Sequence, residues 1–312
     1  MSHLPFIAPP YPDEILGSWL ARICLHNAID GNSLFQEIGF TNPRIQVPFD
    51  ITPFTERVSI LCDILEIGYE QLLLDHTTLP YRLTFNAADI REGYMPGTKV
   101  IPKLFANRLS PRSLLHRISH IKSTDRKIRY CPQCLLADYK TYGEPYWHRE
   151  NQLPNIEHCR LHQVALRHTC PICHRAALLQ HGFLELPSLV CICGHDLTKD
   201  ADDVIPSDGQ TILTISSVKA LNNHIFPHSF HQIDSFLRST VQFVGYEKSL
   251  TSIFGEFEIE NGLYIFHSPD KKLITRIPVK YDFHRPSDCC AALSSIGLIF
   301  EKFYASIDTF LK

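Results

Sequence analysis

The sequence predicts a mainly α-helical protein in which small, knuckle-like β elements interrupt the helices. Three observations carry that expectation. Apolar residues recur at helical spacing between residues 13 and 75, soft-ligand pairs crowd at tight-turn spacing into residues 131–195, and a strand-like alternation runs through residues 263–281. With 312 residues and 44% hydrophobic content, the chain can bury the cores of two or three small domains.

The first helix is expected from Asp13, because Ile15, Leu16, Trp19, Leu20, Ile23 and Cys24 share one face and Gly31 supplies a stop. That makes about four turns. Ser33-x-x-Gln36 reads as a capping box opening a short helix that ends at Gly39. Thr52-Pro53 is a cap with proline at the first helical position, followed by Phe54, Val58, Leu61 and Leu65 on one face and Gly68 past the end. A further short helix is expected near Tyr69 to Asp75. Helix, glycine turn, helix is the outline of a helix-turn-helix, and residues 1–98 are its expected domain. That stretch holds five arginines, no lysine and twelve carboxylates, a local charge of −7. Such a field repels phosphate, so the domain is better suited to docking a protein than to reading a base pair.

The charge reverses at residue 99. Residues 99–129 form a connecting segment with Lys99, Lys103, Arg108, Arg112, Arg117, Lys122, Arg126, Lys127 and Arg129 against Asp125 alone, a local charge of +8 in a chain whose net charge is −3. Leu104, Phe105, Leu109, Leu114, Leu115, Ile118 and Ile121 interleave with the basic residues. The segment therefore reads as amphipathic, with a packed side and a basic outer face that could contact nucleic-acid phosphates; a merely solvated helix face is the plain alternative.

Residues 130–200 carry the metal-ligand pattern. Cys131-x2-Cys134 is followed after 24 residues by Cys159-x2-His162, and Cys170-x2-Cys173 is followed after 17 residues by Cys191-x-Cys193. Two ligands two residues apart sit at one knuckle, and two knuckles complete the tetrahedron that Zn2+ prefers. Seven of the eleven cysteines and one of the seventeen histidines fall into this pattern, which scattered buried thiols would not do. A filled tetrahedron leaves no open position for water, so the expected cofactor is two structural Zn2+ per chain rather than a catalytic metal. Spacing alone leaves two alternatives open: His195 could replace Cys191 or Cys193, and the first and third knuckles could share a metal in a cross-brace. No charged n-region and apolar h-region opens the chain, so a reducing, cytoplasmic setting is expected and disulfides are disfavoured. No apolar run approaches the length of a membrane span; the longest, Cys289 to Phe300, is broken by Ser294 and Ser295.

Between the first knuckles lies Tyr146-Trp147-His148-Arg149, whose aromatic residues are expected to form the miniature core of the metal region, with Arg149 facing a nucleic-acid partner. Residues 201–312 form the expected C-terminal domain. There, Gly209 to Leu221 opens with Ile212, Leu213 and Ile215 and turns helical around Ser217. Leu263, Tyr264, Ile265 and Phe266 pair through a Ser268-Pro269-Asp270 turn with Leu273, Ile274, Ile277 and Val279, and Ser287-Asp288 caps a final helix to about Leu311. Histidines 224, 228, 231, 267 and 284 are too widely spread to form a third ligand set.

Enzyme chemistry finds no foothold. The sequence holds no G-x4-G-K-[ST] phosphate loop, no H-E-x-x-H, no G-x-S-x-G and no G-x-G-x-x-G. Scattered carboxylates could assemble a two-metal nuclease site, yet nothing marks which ones.

Three separated stretches carry a family resemblance. Pro10-Tyr11-Pro12-Asp13-Glu14-Ile15-Leu16-Gly17-Ser18-Trp19-Leu20-Ala21-Arg22 is the first, and Leu74-Asp75-His76-Thr77-Thr78-Leu79-Pro80 is the second. The third runs from Cys131-Pro132-Gln133-Cys134-Leu135 through Gly143-Glu144-Pro145-Tyr146-Trp147-His148-Arg149 and Gln152-Leu153-Pro154 to Cys159 and His162. In this order, from about residue 9 to about residue 200, the chain resembles the TniQ/TnsD family of transposon target-selection proteins. The resemblance implies an N-terminal helix-turn-helix, two tandem zinc fingers and often a C-terminal helical region that binds DNA or a partner. It also implies sequential pairing, with Cys131, Cys134, Cys159 and His162 on one zinc and Cys170, Cys173, Cys191 and Cys193 on the other. Asn151 and Asn155 stand where a histidine and a glycine would be expected, and Gln163 stands where glycine is usual; none is a ligand.

The function implied is that of a non-catalytic adaptor in DNA transposition. It would mark target DNA directly, or through a CRISPR effector with its guide RNA, and recruit an AAA+ ATPase regulator; head-to-tail homodimers occur in the family. A zinc-dependent, sequence-specific transcription regulator is the alternative reading. The resemblance does not extend past about residue 200.

Overall fold

The computed structural model describes residues 5–31, 33–34, 56–83, 128–154, 156–177, 185–222, 232, 235–236, 239, 247, 250–251, 254–261 and 263–278. Its helices are α1 (Leu16–His26), α2 (Glu56–Leu65), α3 (Tyr69–His76), α4 (Leu79–Leu83), α5 (Pro132–Tyr142) and α6 (Asp208–Asn222), and its strands are β1 (Phe257–Glu260), β2 (Leu263–His267) and β3 (Ile274–Pro278). The chain folds as two compact units that interleave along the sequence. One comprises residues 1–79, 125–152 and 167–201, and the other residues 80–124, 153–166 and 202–312.

In the first unit, α1 begins later and ends earlier than its apolar pattern suggests. Asp13 has a left-handed φ of 57° and stays outside the helix, and Ile15 is the N-cap. At the other end Asn27 closes the helix: its Nδ2 donates to Ile23 O at 2.8 Å and to Phe6 O at 2.6 Å, while Phe6 N donates to Asn27 Oδ1 at 3.0 Å. Ala28, at φ 50°, turns the chain away, so the stop is not Gly31. Gly31 instead starts the next helical turn, capped by Asp30, whose carboxylate accepts from Ser33 N at 3.1 Å and Ser33 Oγ at 2.7 Å. The expected Ser33 cap is thus corrected to Asp30; Gln36 and Gly39 lie outside the described residues.

Helices α2 and α3 are joined by Glu66-Ile67-Gly68. The left-handed residue is Glu66 at φ 53°, and Gly68, at φ −62°, is the N-cap of α3 rather than the terminator of α2. Thr52-Pro53 lies outside the described residues. The sequence did not signal α4.

The first-unit core packs Ile15, Tyr130, Leu135, Trp147, Cys170 and Leu197 together, with Ile128, Cys173, Ala177, Leu189 and Cys191 at its margin. Metal-ligand cysteines are therefore part of this core.

In the second unit, α6 is helical throughout rather than from Ser217. Ser207 and Gln210 form a reciprocal capping box, with Ser207 N donating to Gln210 Oε1 at 2.9 Å and Gln210 N to Ser207 Oγ at 3.3 Å. The expected hairpin is two strands of a three-stranded antiparallel meander in the order β1-β2-β3. Phe257 pairs with Phe266 across β1 and β2, and Tyr264 with Ile277 across β2 and β3. One face buries Tyr264, Phe266 and Ile277 against Leu250 and Phe254. The Ser287-Asp288 cap and the final helix lie outside the described residues, as do His224, His228, His231 and His284. No helix among the described residues is long and apolar enough to cross a membrane.

Candidate metal centres

Each ligand knuckle is built by its local backbone. At the first, Cys131 is the N-cap of α5, its Sγ accepting from Cys134 N at 3.4 Å, and Pro132 follows in the first helical turn. Proline has no N–H to lose there, so C-P-x-C serves helix initiation and ligand placement at once. Gly143 ends α5 at φ 83°, with its N–H on Tyr139 O at 2.9 Å.

The other three knuckles are tips of minimal hairpins, each flanked by a single antiparallel bridge: His158 with Ala165, Thr169 with Ala176, and Val190 with Asp196. In each, the residue after the second ligand takes a left-handed conformation: Gln163 at φ 55°, His174 at φ 56° and Gly194 at φ 86°. Their N–H groups turn back onto the first ligand's carbonyl, on Cys159 at 2.9 Å, Cys170 at 2.9 Å and Cys191 at 2.8 Å. This gives a physical reason for the glycine expected at position 163, because glycine enters that region without a Cβ penalty. Gln163 offsets part of the cost by donating its Nε2 to Arg160 O at 2.9 Å.

Two groups result. The ligand atoms of Cys131, Cys134, Cys159 and His162 all lie within 4.8 Å of one another, as do those of Cys170, Cys173, Cys191 and Cys193. The grouping is the sequential one, not the cross-brace. His195 stays outside it, its Nε2 lying 2.6 Å from Asp200 Oδ2. Either group could hold a metal ion, and two sets of four soft N/S donors are consistent with zinc.

Electrostatics in the second set favour a cation. Burial raises the Cys170 thiol, but the backbone N–H groups of Cys173 and Ile172 and the thiols of Cys191 and Cys193 outweigh it and hold the group down at about 6. The Cys193 backbone N–H lowers Cys191, but burial and the neighbouring Cys173, Cys170 and Cys193 sulfurs push it up to about 12. A thiolate forms readily at Cys170 and is resisted at Cys191, and a bound divalent cation would relieve that repulsion.

Trp147 is 1% exposed within the first-unit core, in line with the packing role expected of it. Arg149 corrects its own expectation. It is 5% exposed, and its guanidinium donates to Asp13 Oδ1 at 3.1 Å and to the Leu74 and Thr77 carbonyls, so it faces inward rather than toward a partner. Arg129 is half-buried, with its backbone paired to the Gln152 side chain at 2.9 Å and 2.8 Å. Lys99, Lys103, Arg108, Arg112, Arg117, Lys122, Arg126 and Lys127 lie outside the described residues.

Sequence reasoning missed a buried polar network at the start of the chain. Arg22 Nε and Nη2 grip Glu14 at 3.0 and 2.8 Å, Ser18 Oγ donates to Glu14 Oε1 at 3.0 Å, and Trp147 N donates to Ser18 Oγ at 3.0 Å. Arg22 also lies 3.7 Å from the Tyr11 ring centroid, and Glu144 accepts from Tyr11 Oη at 3.0 Å and meets His26 Nε2 at 2.9 Å. The available signal was an arginine within an apolar helical face, one and two turns past a serine and a glutamate.

The family model of TniQ matches residues 5–166, which include this network and the first metal set. The transposition protein TnsD of transposon Tn7 from Escherichia coli is 23% identical over 154 residues, 49% of this chain and 29% of that protein. The chain thus spans less than a third of that relative's length. With the family model covering more than half of its residues, the chain belongs to the TniQ family.

Proposed function

We propose that the protein is a non-catalytic adaptor that selects the target site for DNA transposition. The observation that supports this most strongly is the TniQ match over residues 5–166, joined by likeness to a relative named a transposition protein. In this reading both ligand sets hold structural Zn2+, because four soft donors fill the coordination sphere and leave no position for substrate. The zinc regions act as rigid platforms. Helices α2 and α3 are read as a helix-turn-helix within an acidic segment suited to an AAA+ ATPase regulator. The basic residues of 99–129 are read as the phosphate-contacting surface. Target DNA is met directly or through a CRISPR effector and its guide RNA, nucleotide hydrolysis belongs to the ATPase, and the setting is the cytoplasm.

Insertion mapping tests the reading. Cells carrying the element's transposase, ATPase and donor DNA are compared with and without this protein, and insertion sites are sequenced. Insertions focused on one locus only when the protein is present support the proposal. An unchanged insertion distribution, with the protein binding one operator sequence, would instead identify a transcription regulator.

A further inference from the structure

The two metal sets differ in how far their ligand residues are exposed. In the first, Cys131, Cys134 and Cys159 are all buried and His162 is half-buried. In the second, Cys170 is buried, Cys173 and Cys191 are half-buried, and Cys193 is exposed. Cys193, the exposed residue, has a partner at hand, since its Sγ lies 3.7 Å from Cys170 Sγ, and Cys173 Sγ lies 3.5 Å from Cys191 Sγ. A cavity of about 280 Å³, lined by Tyr130, Trp147, Cys170 and Cys191 among others, gives a small molecule an approach to Cys170 and Cys191.

We propose that the second centre is an oxidisable, exchangeable one with Cys193 as its modification site, while the first centre is permanent. The inference rests on the reading that both sets hold zinc. A hydroperoxide is the oxidant class that fits. The Cys193 thiolate attacks hydrogen peroxide, the O–O bond breaks, and a sulfenic acid and hydroxide form. The Cys170 thiolate then attacks that sulfur, making the S–S bond and expelling a second hydroxide. Two electrons pass from the two sulfurs to the peroxide. A zinc held there would be left with only Cys173 and Cys191 as ligands and would be released as the hydrated ion. Because Cys170 packs with Ile15, Tyr130, Leu135, Trp147 and Leu197, its oxidation loosens the first-unit core.

The test uses the full chain after its zinc content is measured. Hydrogen peroxide is added at neutral pH with a chromophoric zinc chelator, and thiols and disulfides are mapped by mass spectrometry. The expected result is one zinc equivalent released in a fast phase with a Cys193–Cys170 disulfide. Cys131, Cys134 and Cys159 should remain reduced, and the second zinc should leave about tenfold more slowly or slower still. Cys193→His keeps four ligands and removes the exposed thiol, so it should abolish the fast phase while two zincs are retained. Release of both zincs in a single phase, or oxidation of the first set before Cys193, overturns the inference. A purified chain holding fewer than two zincs overturns the metal reading beneath it.

Discussion

Glu14→Gln should be among the most damaging conservative changes in this protein, and the structure fixes the reason. Glu14 is fully buried and Arg22 is 1% exposed. Glu14 Oε1 accepts from Ser18 Oγ and Arg22 Nε, both at 3.0 Å, and Oε2 accepts from Tyr11 N at 2.9 Å and Arg22 Nη2 at 2.8 Å. Whichever way a glutamine amide turns, its N–H groups meet two donors, and the guanidinium loses its buried counter-charge. Removing one partner of a buried ion pair costs about 3–5 kcal/mol. Arg22 keeps Pro9 O at 2.6 Å, Glu144 Oε1 at 3.4 Å and the Tyr11 ring, which places the expected loss at the lower end, about 3 kcal/mol. That corresponds to a fall of roughly 6–12 °C in Tm. Urea and thermal unfolding of the zinc-loaded chain, followed by circular dichroism and tryptophan emission, measures it; Trp19 and Trp147, the two tryptophans, are both buried. The double variant Glu14→Gln/Arg22→Met removes both members of the buried pair, leaves Glu144 with Tyr11 Oη and His26, and should lose less than the sum of the singles. A single-variant loss below about 1 kcal/mol, or strict additivity in the double, would show that Glu14 and Arg22 are not a coupled buried pair.

Other outcomes follow from the same geometry. Burial lowers His148, but its 2.9 Å contact with Asp138 and the charges of Asp138, Asp13 and Glu150 raise it above its ordinary 6.5. Its contribution to stability is therefore complete below 6.5 and is lost as the pH rises through the raised folded value, so the stability gap between the native chain and His148→Gln should shrink on the alkaline side; a gap that widens with pH contradicts the pairing. Gly143→Ala should cost about 1 kcal/mol, since a Cβ there meets nothing within 4 Å and only the left-handed backbone at φ 83° is penalised. Chemical denaturation checks it, and a loss several times larger would point to a clash the structure does not contain. Replacing Lys99, Lys103, Arg108, Arg112, Arg117, Lys122, Arg126, Lys127 and Arg129 with glutamine should weaken DNA binding and flatten its log–log salt slope by up to about eight units. An unchanged slope removes the segment from the interface.

Local rules made much of this legible. The ligand pairs could be read because the chemistry of tetrahedral coordination leaves its spacing in the chain, and the 131–134 knuckle added a proline that also starts a helix. Strands β2 and β3 were visible through alternation. The errors fall where a distant partner decides. Asp13 is the expected start of the first helix, but it sits outside α1 because its carboxylate serves Arg149 and the backbone N–H of Glu150, more than a hundred residues away. Arg149 looks like an exposed cation for the same reason. Glu66 rather than Gly68 takes the left-handed turn, a choice that glycine statistics alone could not make. Strand β1 was missed because Phe257-Glu258-Ile259-Glu260 leaves most of its residues exposed and is held by pairing with β2.

The most direct test of the account is a pull-down of purified, zinc-quantified protein against the AAA+ ATPase encoded in the same element, with and without DNA. Capture of the ATPase without DNA, by a chain carrying two zincs, is the expected result. No capture, together with tight and salt-sensitive binding to a single DNA sequence, would contradict the adaptor role and leave a DNA-binding regulator in its place.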